Sequence, residues 1–293
     1  MSRSNPRTTL GIVAISFNEE RDLPAFLENL VPWVDEIIII DDGSTDGTRK
    51  IAETAGEKVR FIVSPRIEGE YYADQRNKGI DAASSDWLVH MDIDERIPLD
   101  LALEILEAIH NPDQDAYRYH RMNYFLHRPM RGGDWRDWNL VHLARRECLR
   151  FSGMYHEKIE LAIPPGRVGQ LKNFMLHLND ESYDERLRKS AVYQVEVLKN
   201  IKQTNASLGY FDILYSFIRE FIYQYFWKRG FLDGVAGLIW AFHAASAKNR
   251  AYILAWDEQN RIPREELENK IRLMWDQESL QRVLHQKSDY PKV

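Results

Sequence analysis

Four isoleucines in succession, Ile37 to Ile40, run without polar alternation into Asp41-Asp42-Gly43-Ser44. An apolar run with no period of two predicts a strand buried on both faces, as in a parallel sheet. Ser44, Thr45 and Asp46 are each able to cap a helix continuing through residues 48–56. The alternation repeats on either side. Residues 10–16 read as a strand, and residues 23–34 as a helix stopped near Pro32. Residues 59–63 and 87–92 read as further strands, with a helix over 70–84 between them. This βαβαβαβ order predicts an α/β protein with a doubly wound, mostly parallel sheet. Beyond it, residues 101–109 read as a surface helix, and 116–128 and 139–150 as strands flanking a loop with glycine and tryptophan. Two short strands fall within 153–178. After residue 181 the pattern turns helical, dividing the chain into an α/β domain, 1–180, and a helical extension, 181–293.

Composition narrows the partners. Of 293 residues 44% are apolar, enough for a sizeable core. A net charge of -6 gives no global positive field to collect phosphates, which argues against nucleic acid. The single cysteine, Cys148, excludes an intramolecular disulfide and fits a reducing cytoplasm. No stretch of 18 residues is free of charge, so no spanning helix is expected. Aromatic residues concentrate in 117–138 and 210–256; such side chains gather at sugar sites, membrane interfaces and cores alike.

Candidate chemistry collects at the strand ends. Asn18, Asp42 and Asp92 fall at one edge of the expected sheet, where open α/β folds bind ligands. "HMDIDE" sets Asp92 and Asp94 two apart. On an extended segment they share a side, and their repulsion would raise both pKa values unless a cation or hydrogen-bond donors offset it. A divalent metal bridging to a diphosphate would do so.

"ISFNEE", "IDDGSTDGT", "QRNKGIDAASSDWLVHMDIDE" and "HEKI" come in the order and spacing of glycosyltransferase family 2. The chain resembles that family over about residues 9–180, and within it the bacterial enzymes that extend lipopolysaccharide core or other surface glycans. The resemblance implies a GT-A fold, with nucleotide-sugar binding in 9–100 and an acceptor and base region in 101–180. It implies an inverting transfer from a UDP-sugar donor to a glycan or lipid-linked acceptor, with Mn2+ or Mg2+ as cofactor. Phe17 then stacks on the base, with Asn18 and Glu20 in the same loop. Asp42 pairs with the uracil N–H beside Asp41, Arg76 approaches the diphosphate, and Asp92 faces ribose and donor sugar. Asp94 and His177 are the implied metal ligands, and Glu157 the general base. His156, Trp135, Asp137 and Trp138 are the acceptor-side candidates. The chain lacks the Q-x-x-R-W motif of processive synthases, which points to single addition.

The 210–256 stretch sets Arg219, Lys228, Arg229, Lys248 and Arg250 among aromatics. Helices of this kind lie at a bilayer interface, pack on the catalytic domain, or join a second subunit. The first reading makes the protein cytoplasmic and peripheral on the inner membrane; the last makes it a homo-oligomer. Two other functions fit the same residues. A sugar nucleotidyltransferase would carry a Gly-rich basic loop that "ISFNEERDL" lacks. A noncatalytic nucleotide-binding scaffold would have no need to retain Asp94, Glu157 and His177 together.

Overall fold

The computed structural model describes residues 7–153, 157–164, 166–180, 182–203 and 207–288. Four parallel strands, β1 (Leu10–Ser16), β2 (Glu36–Asp41), β3 (Val59–Val63) and β4 (Trp87–Asp92), stand in the order β3-β2-β1-β4. The isoleucine run of β2 serves both faces of this sheet. Ile37 and Ile39 pack with Leu23, Phe26 and Leu30 of helix α1 (Leu23–Leu30) and with Leu101 and Ile105 of α4 (Leu99–His110). Ile38 and Ile40 pack on the other side with Ala73 and Ile80 of α3 (Tyr72–Ala82). Each isoleucine removed from water contributes about 1.5–3 kcal/mol, so a charge at any of the four would break one layer. Gly79 lets α3 approach the sheet: a Cβ there would lie 2.4 Å from Val13 Cγ1.

Helix α2 (Thr48–Thr54) begins after Gly47, not at one of the three expected caps. Of those three, Asp46 supplies the bond to the helix, accepting the Thr48 N–H at 3.0 Å. Ser44 and Thr45 instead face the loop after β1, as described below.

Seven shorter or later strands complete the architecture: β5 (Glu95–Arg96), β6 (Ala116–Phe125), β7 (Arg128–Pro129), β8 (Asn139–Arg145), β9 (Leu149–Ser152), β10 (Lys158–Leu161) and β11 (Val168–His177). The sheet continues from β4 through β8, β6 and β11 to β5, with β7 folded back on β6. Strand β8 runs antiparallel between β4 and β6, while β11 runs parallel to β6. The sheet is therefore mixed beyond its fourth strand. Two expected strands are divided. β6 ends at Phe125, where Leu126 and His127 take left-handed backbone angles, φ 49° and 62°, and a 3-10 turn at Arg146–Cys148 separates β8 from β9. Asp92 closes β4, but Asp94 lies in a turn before β5, not on an extended segment.

The helices that follow are α5 (Tyr183–Gln203), α6 (Tyr210–Ile222), α7 (Gly234–Asn260), α8 (Arg264–Met274) and α9 (Gln277–Ser288). Two compact units result. One holds residues 1–187 together with 222–241; the other holds 188–221 and 242–293. Residues 222–241 thus belong with the sheet, and a single cut at 180 does not describe the division. The return is fixed by contact with the β7–β8 loop, where a Cβ on Gly132 would lie 2.4 Å from the Arg229 carbonyl oxygen. Among the described residues no helix is long and apolar enough to cross a membrane.

Candidate active site

The loops after β1 and β2 build one wall of the site. Asn18 sits at φ 57°, a conformation that asparagine tolerates better than most residues. Its amide oxygen accepts the Thr45 N–H at 2.8 Å, and its own N–H donates to Ser44 Oγ at 2.8 Å. Glu20 accepts the Gly47 N–H at 2.7 Å. Buried Asp41 accepts from the Ser16 hydroxyl and from the Gly43 and Ser44 N–H groups, at 2.8, 3.0 and 2.8 Å. Asn18, Glu20 and Asp41 therefore brace the loops. Phe17 remains 55% exposed beside them, an apolar face held at the edge.

Asp42 is already engaged. Its carboxylate accepts the backbone N–H and Nε–H of Arg66 at 2.7 and 2.8 Å. Burial pushes its carboxyl up, but the bonds from Arg66 outweigh this and hold it below the usual range. A ring N–H reaching Asp42 would share the carboxylate with Arg66, a residue not singled out in the sequence.

Arg76 is buried on α3 and joins two of the expected residues. Its Nη2 donates to Asp92 at 2.7 Å and its Nε to Glu157 at 2.9 Å. The repulsion expected between Asp92 and Asp94 raises a pKa only where no cation offsets it, and at Asp92 a cation is present. Burial does push the carboxyl up, but the Arg76 guanidinium more than offsets it and holds Asp92 well below the ordinary range. Among the described residues, Arg76 Nη1 and Glu157 Oε1 are buried without a hydrogen-bond partner. A guanidinium already paired twice keeps that nitrogen for an incoming acceptor.

Asp94 and His177 meet, although 83 residues separate them in the chain. His177 Nε2 lies 3.2 Å from Asp94 Oδ2, because β5 pairs with the end of β11, His177 opposite Glu95. The tautomer follows from the partners. Asn123 donates its amide N–H to the Trp135 carbonyl at 3.2 Å, which turns its Oδ1 toward His177 Nδ1 at 2.7 Å. Nδ1 must then carry the hydrogen, so in the neutral ring Nε2 presents a lone pair to a carboxylate oxygen. That juxtaposition is favourable only with a positive charge between the two atoms, either a proton or a metal ion. A carboxylate and an imidazole oriented through its other nitrogen are a suitable donor pair for a divalent cation. Among the described residues no third His, Cys, Asp or Glu completes a metal cluster, so further ligands would have to come from solvent or a bound diphosphate.

Two further acids lie here. Glu19 is pushed up to about 7, first by burial and then by the charges of Asp94 and Asp22. Glu95 is also raised, by burial and by Asp92, against the opposing charge of Arg121. It accepts the Asp92 N–H at 2.9 Å and Arg121 Nη1 at 3.0 Å. Glu19 stands in "ISFNEE" and Glu95 in "HMDIDE", so both were within the motifs; Asn123 and Arg121 had no signal of their own.

The acceptor-side candidates separate. Trp135 is not an open platform: it is buried, its ring 4.5 Å from that of Trp240 and capped by Arg186 at 5.2 Å. Asp137 is exposed and paired with Lys228 at 2.6 Å. Trp138 is half-exposed, with the Arg121 guanidinium 4.1 Å from its ring. His156 lies outside the described residues.

The model of the family described as Glycosyl transferase family 2 matches residues 11–167. The lipopolysaccharide core biosynthesis glycosyltransferase LpsC of Rhizobium meliloti (strain 1021) is 26% identical over 255 residues, covering 82% of this chain and 92% of that protein. An uncharacterized glycosyltransferase of Rickettsia typhi is 24% identical, covering 77% and 79%. Among solved structures, glucosyl-3-phosphoglycerate synthase from Mycobacterium tuberculosis, in complex with Mn2+, UDP and glucosyl-3-phosphoglycerate, is 19% identical. It has a TM-score of 0.46, covering 65% of this chain and 78% of that one.

Proposed function

Since the chain belongs to glycosyl transferase family 2, we propose that it moves a single sugar, with inversion, from a UDP-sugar to a glycan or lipid-linked acceptor in bacterial lipopolysaccharide or surface-polysaccharide synthesis. The likeness to LpsC supports the pathway. The observation that carries the chemistry is the ionic link Asp92–Arg76–Glu157 at the sheet edge that also holds the Asp94–His177 pair.

Phe17 stacks on the base, and Asp42, braced through the Asp41 loop, meets the uracil edge. Asp92 faces ribose and donor sugar, while the free Arg76 Nη1 takes a diphosphate oxygen. Asp94 and His177 would hold Mn2+ or Mg2+, which when bound neutralises charge on the departing diphosphate. Arg76 occupies Glu157 Oε2 and leaves Oε1 as the atom that accepts a proton. In the transfer, the acceptor hydroxyl oxygen bonds to the anomeric carbon, the carbon–phosphate oxygen bond breaks, and UDP leaves with its electron pair. The hydroxyl proton passes to Glu157. His156 and Trp138 contact the acceptor. The reaction takes place on the cytoplasmic side of the inner membrane, where a soluble donor and a lipid-linked acceptor meet.

The test is UDP release from a panel of UDP-sugars with Mn2+ and a lipopolysaccharide-core acceptor. One donor is expected to turn over, and Asp94→Ala to abolish that turnover. UDP binding with no transfer or hydrolysis of any donor would instead make the protein a noncatalytic binder.

A further inference from the structure

Residues 223–235 form a tip on the sheet unit, opening with a π-helical turn, Tyr223–Trp227, and a 3-10 turn, Gly230–Asp233. Its side chains invert the usual order of burial. Gln224 is buried at 1% exposure, whereas Trp227 is 79% exposed, Val235 67%, Phe226 57% and Leu232 56%. Three of its rings cluster, Tyr225 lying 5.1 Å from Phe226 and 6.4 Å from Phe231.

The charge around this patch is net positive: Arg128, Arg131, Arg136, Lys228 and Arg229 stand against Asp134, Asp137 and Asp233. Among the described residues Arg128, Arg131, Arg136 and Arg229 are exposed and none forms an ion pair. The nearby acids are all engaged. Asp233 accepts the Arg131 and Gly132 N–H groups at 2.8 Å each, Asp134 pairs with Gln224, and Asp137 with Lys228. A chain of net charge -6 thus offers an apolar tip with a local excess of positive charge on the tip and on the segment bonded to it. Aromatic side chains set among cations match the interface of an anionic bilayer, whose surface charge attracts each nearby Arg or Lys. The tip is also fastened to the loop that precedes β8. Besides the Asp233 bonds, the Gly133 N–H donates to the Lys228 carbonyl at 3.0 Å and the Asp134 N–H to Gln224 at 3.1 Å. That loop carries the Trp135 carbonyl that orients Asn123, and Asn123 orients His177.

We propose that the 223–235 tip docks the enzyme on an anionic lipid bilayer, with Phe226, Trp227 and Leu232 entering the interface and Arg128 and Arg229 meeting lipid phosphates. This deepens the reading of a lipid-linked acceptor given above and rests on it. Docking through a segment bolted to the 131–137 loop holds that loop, and the histidine behind it, at a fixed height over the membrane.

The experiment is flotation of the full chain with vesicles of phosphatidylethanolamine and phosphatidylglycerol, against vesicles of phosphatidylcholine alone, at low and high salt. Two variants accompany the wild type: F226S/W227S/L232S and R128E/R229E. Wild type is expected to float with the anionic vesicles and the triple variant to bind them at least tenfold more weakly. The charge variant should bind about tenfold more weakly at low salt, a difference that fades as salt screens it. A UDP-induced thermal shift equal in all three proteins shows that the variants are folded. Loss of that shift in wild type would count against the donor reading while leaving the flotation result standing. No wild-type binding to anionic vesicles, or a triple variant that binds equally well, would overturn the proposal. So would a wild-type dimer abolished by the triple variant, which would make a second copy the occupant of the patch.

Discussion

At the sheet edge, charged groups are withdrawn from water; at the 223–235 tip, aromatic groups are pushed into it. Both arrangements run against ordinary burial, but they are resolved differently. Most of the charges withdrawn at the edge find a complement in the same unit: Arg76 with Asp92 and Glu157, Arg121 with Glu95, Arg66 with Asp42. Burying such pairs costs desolvation that their mutual attraction only partly returns, so the arrangement keeps a geometry more than it adds stability. Trp227 and Val235, at 79% and 67% exposure, are largely uncovered among the described residues. The edge is paired within its own unit except at Arg76 Nη1, Glu157 Oε1 and the gap between Asp94 and His177; the tip presents apolar surface instead.

That contrast predicts which substitutions should matter. Glu157→Gln should have the largest effect, a fall in turnover of at least about 100-fold with donor affinity hardly changed; steady-state rates beside UDP-sugar binding would show it. Loss of both together would mean that Glu157 supports the pocket instead. Arg76→Ala should strand two carboxylates. Asp92 is partly solvated, so the cost should fall near the low end of the roughly 3–5 kcal/mol seen when a buried pair is broken, read as a lower urea midpoint. A midpoint equal to wild type would show that the edge is not held by its pairing.

Acid should weaken the sheet unit through His90. Burial, aided by the charge of Arg76, pushes its pKa down to about 4, and its ring stacks 4.8 Å from that of buried His142. The unfolded chain therefore binds more protons between about pH 6.5 and pH 4. Stability is full above that window and lost as pH falls through it, by on the order of 3 kcal/mol for His90. Urea titrations across the window should show a shallower slope for His90→Gln. The smallest effect belongs to the tip: Trp227→Ser should leave the unfolding free energy from urea titration within about 0.5 kcal/mol of wild type. A large loss there would mean that Trp227 is packed after all, and the contrast between edge and tip would collapse.

The parallel half of the fold was legible because its signals are local. The isoleucine run, the helix spacing and the acids at the strand ends each lie within a few residues. What stayed hidden depends on partners far along the chain. Nothing near Arg76 announces Glu157, 81 residues on, as the group it holds. Trp135 reads as a sugar platform until Trp240 is found against its ring. Asn123 lies in a strand of mixed polarity with no motif around it; only its bond to His177 shows what it does. The cut at 180 missed the return of 222–241 for the same reason, since helical spacing does not say which body a helix joins.

The pairing of β5 with the end of β11 also has a consequence for how the molecule is made. Glu95 faces His177 across that rung, so the two ends of a long excursion meet beside Asp94. During synthesis β1 to β4 leave the ribosome well before His177 does, and contacts so distant in sequence close late because of the chain entropy they must overcome. A nascent chain stopped short of residue 177 would present a parallel sheet with Asp94 still waiting for its imidazole, able to begin folding but not yet equipped for chemistry.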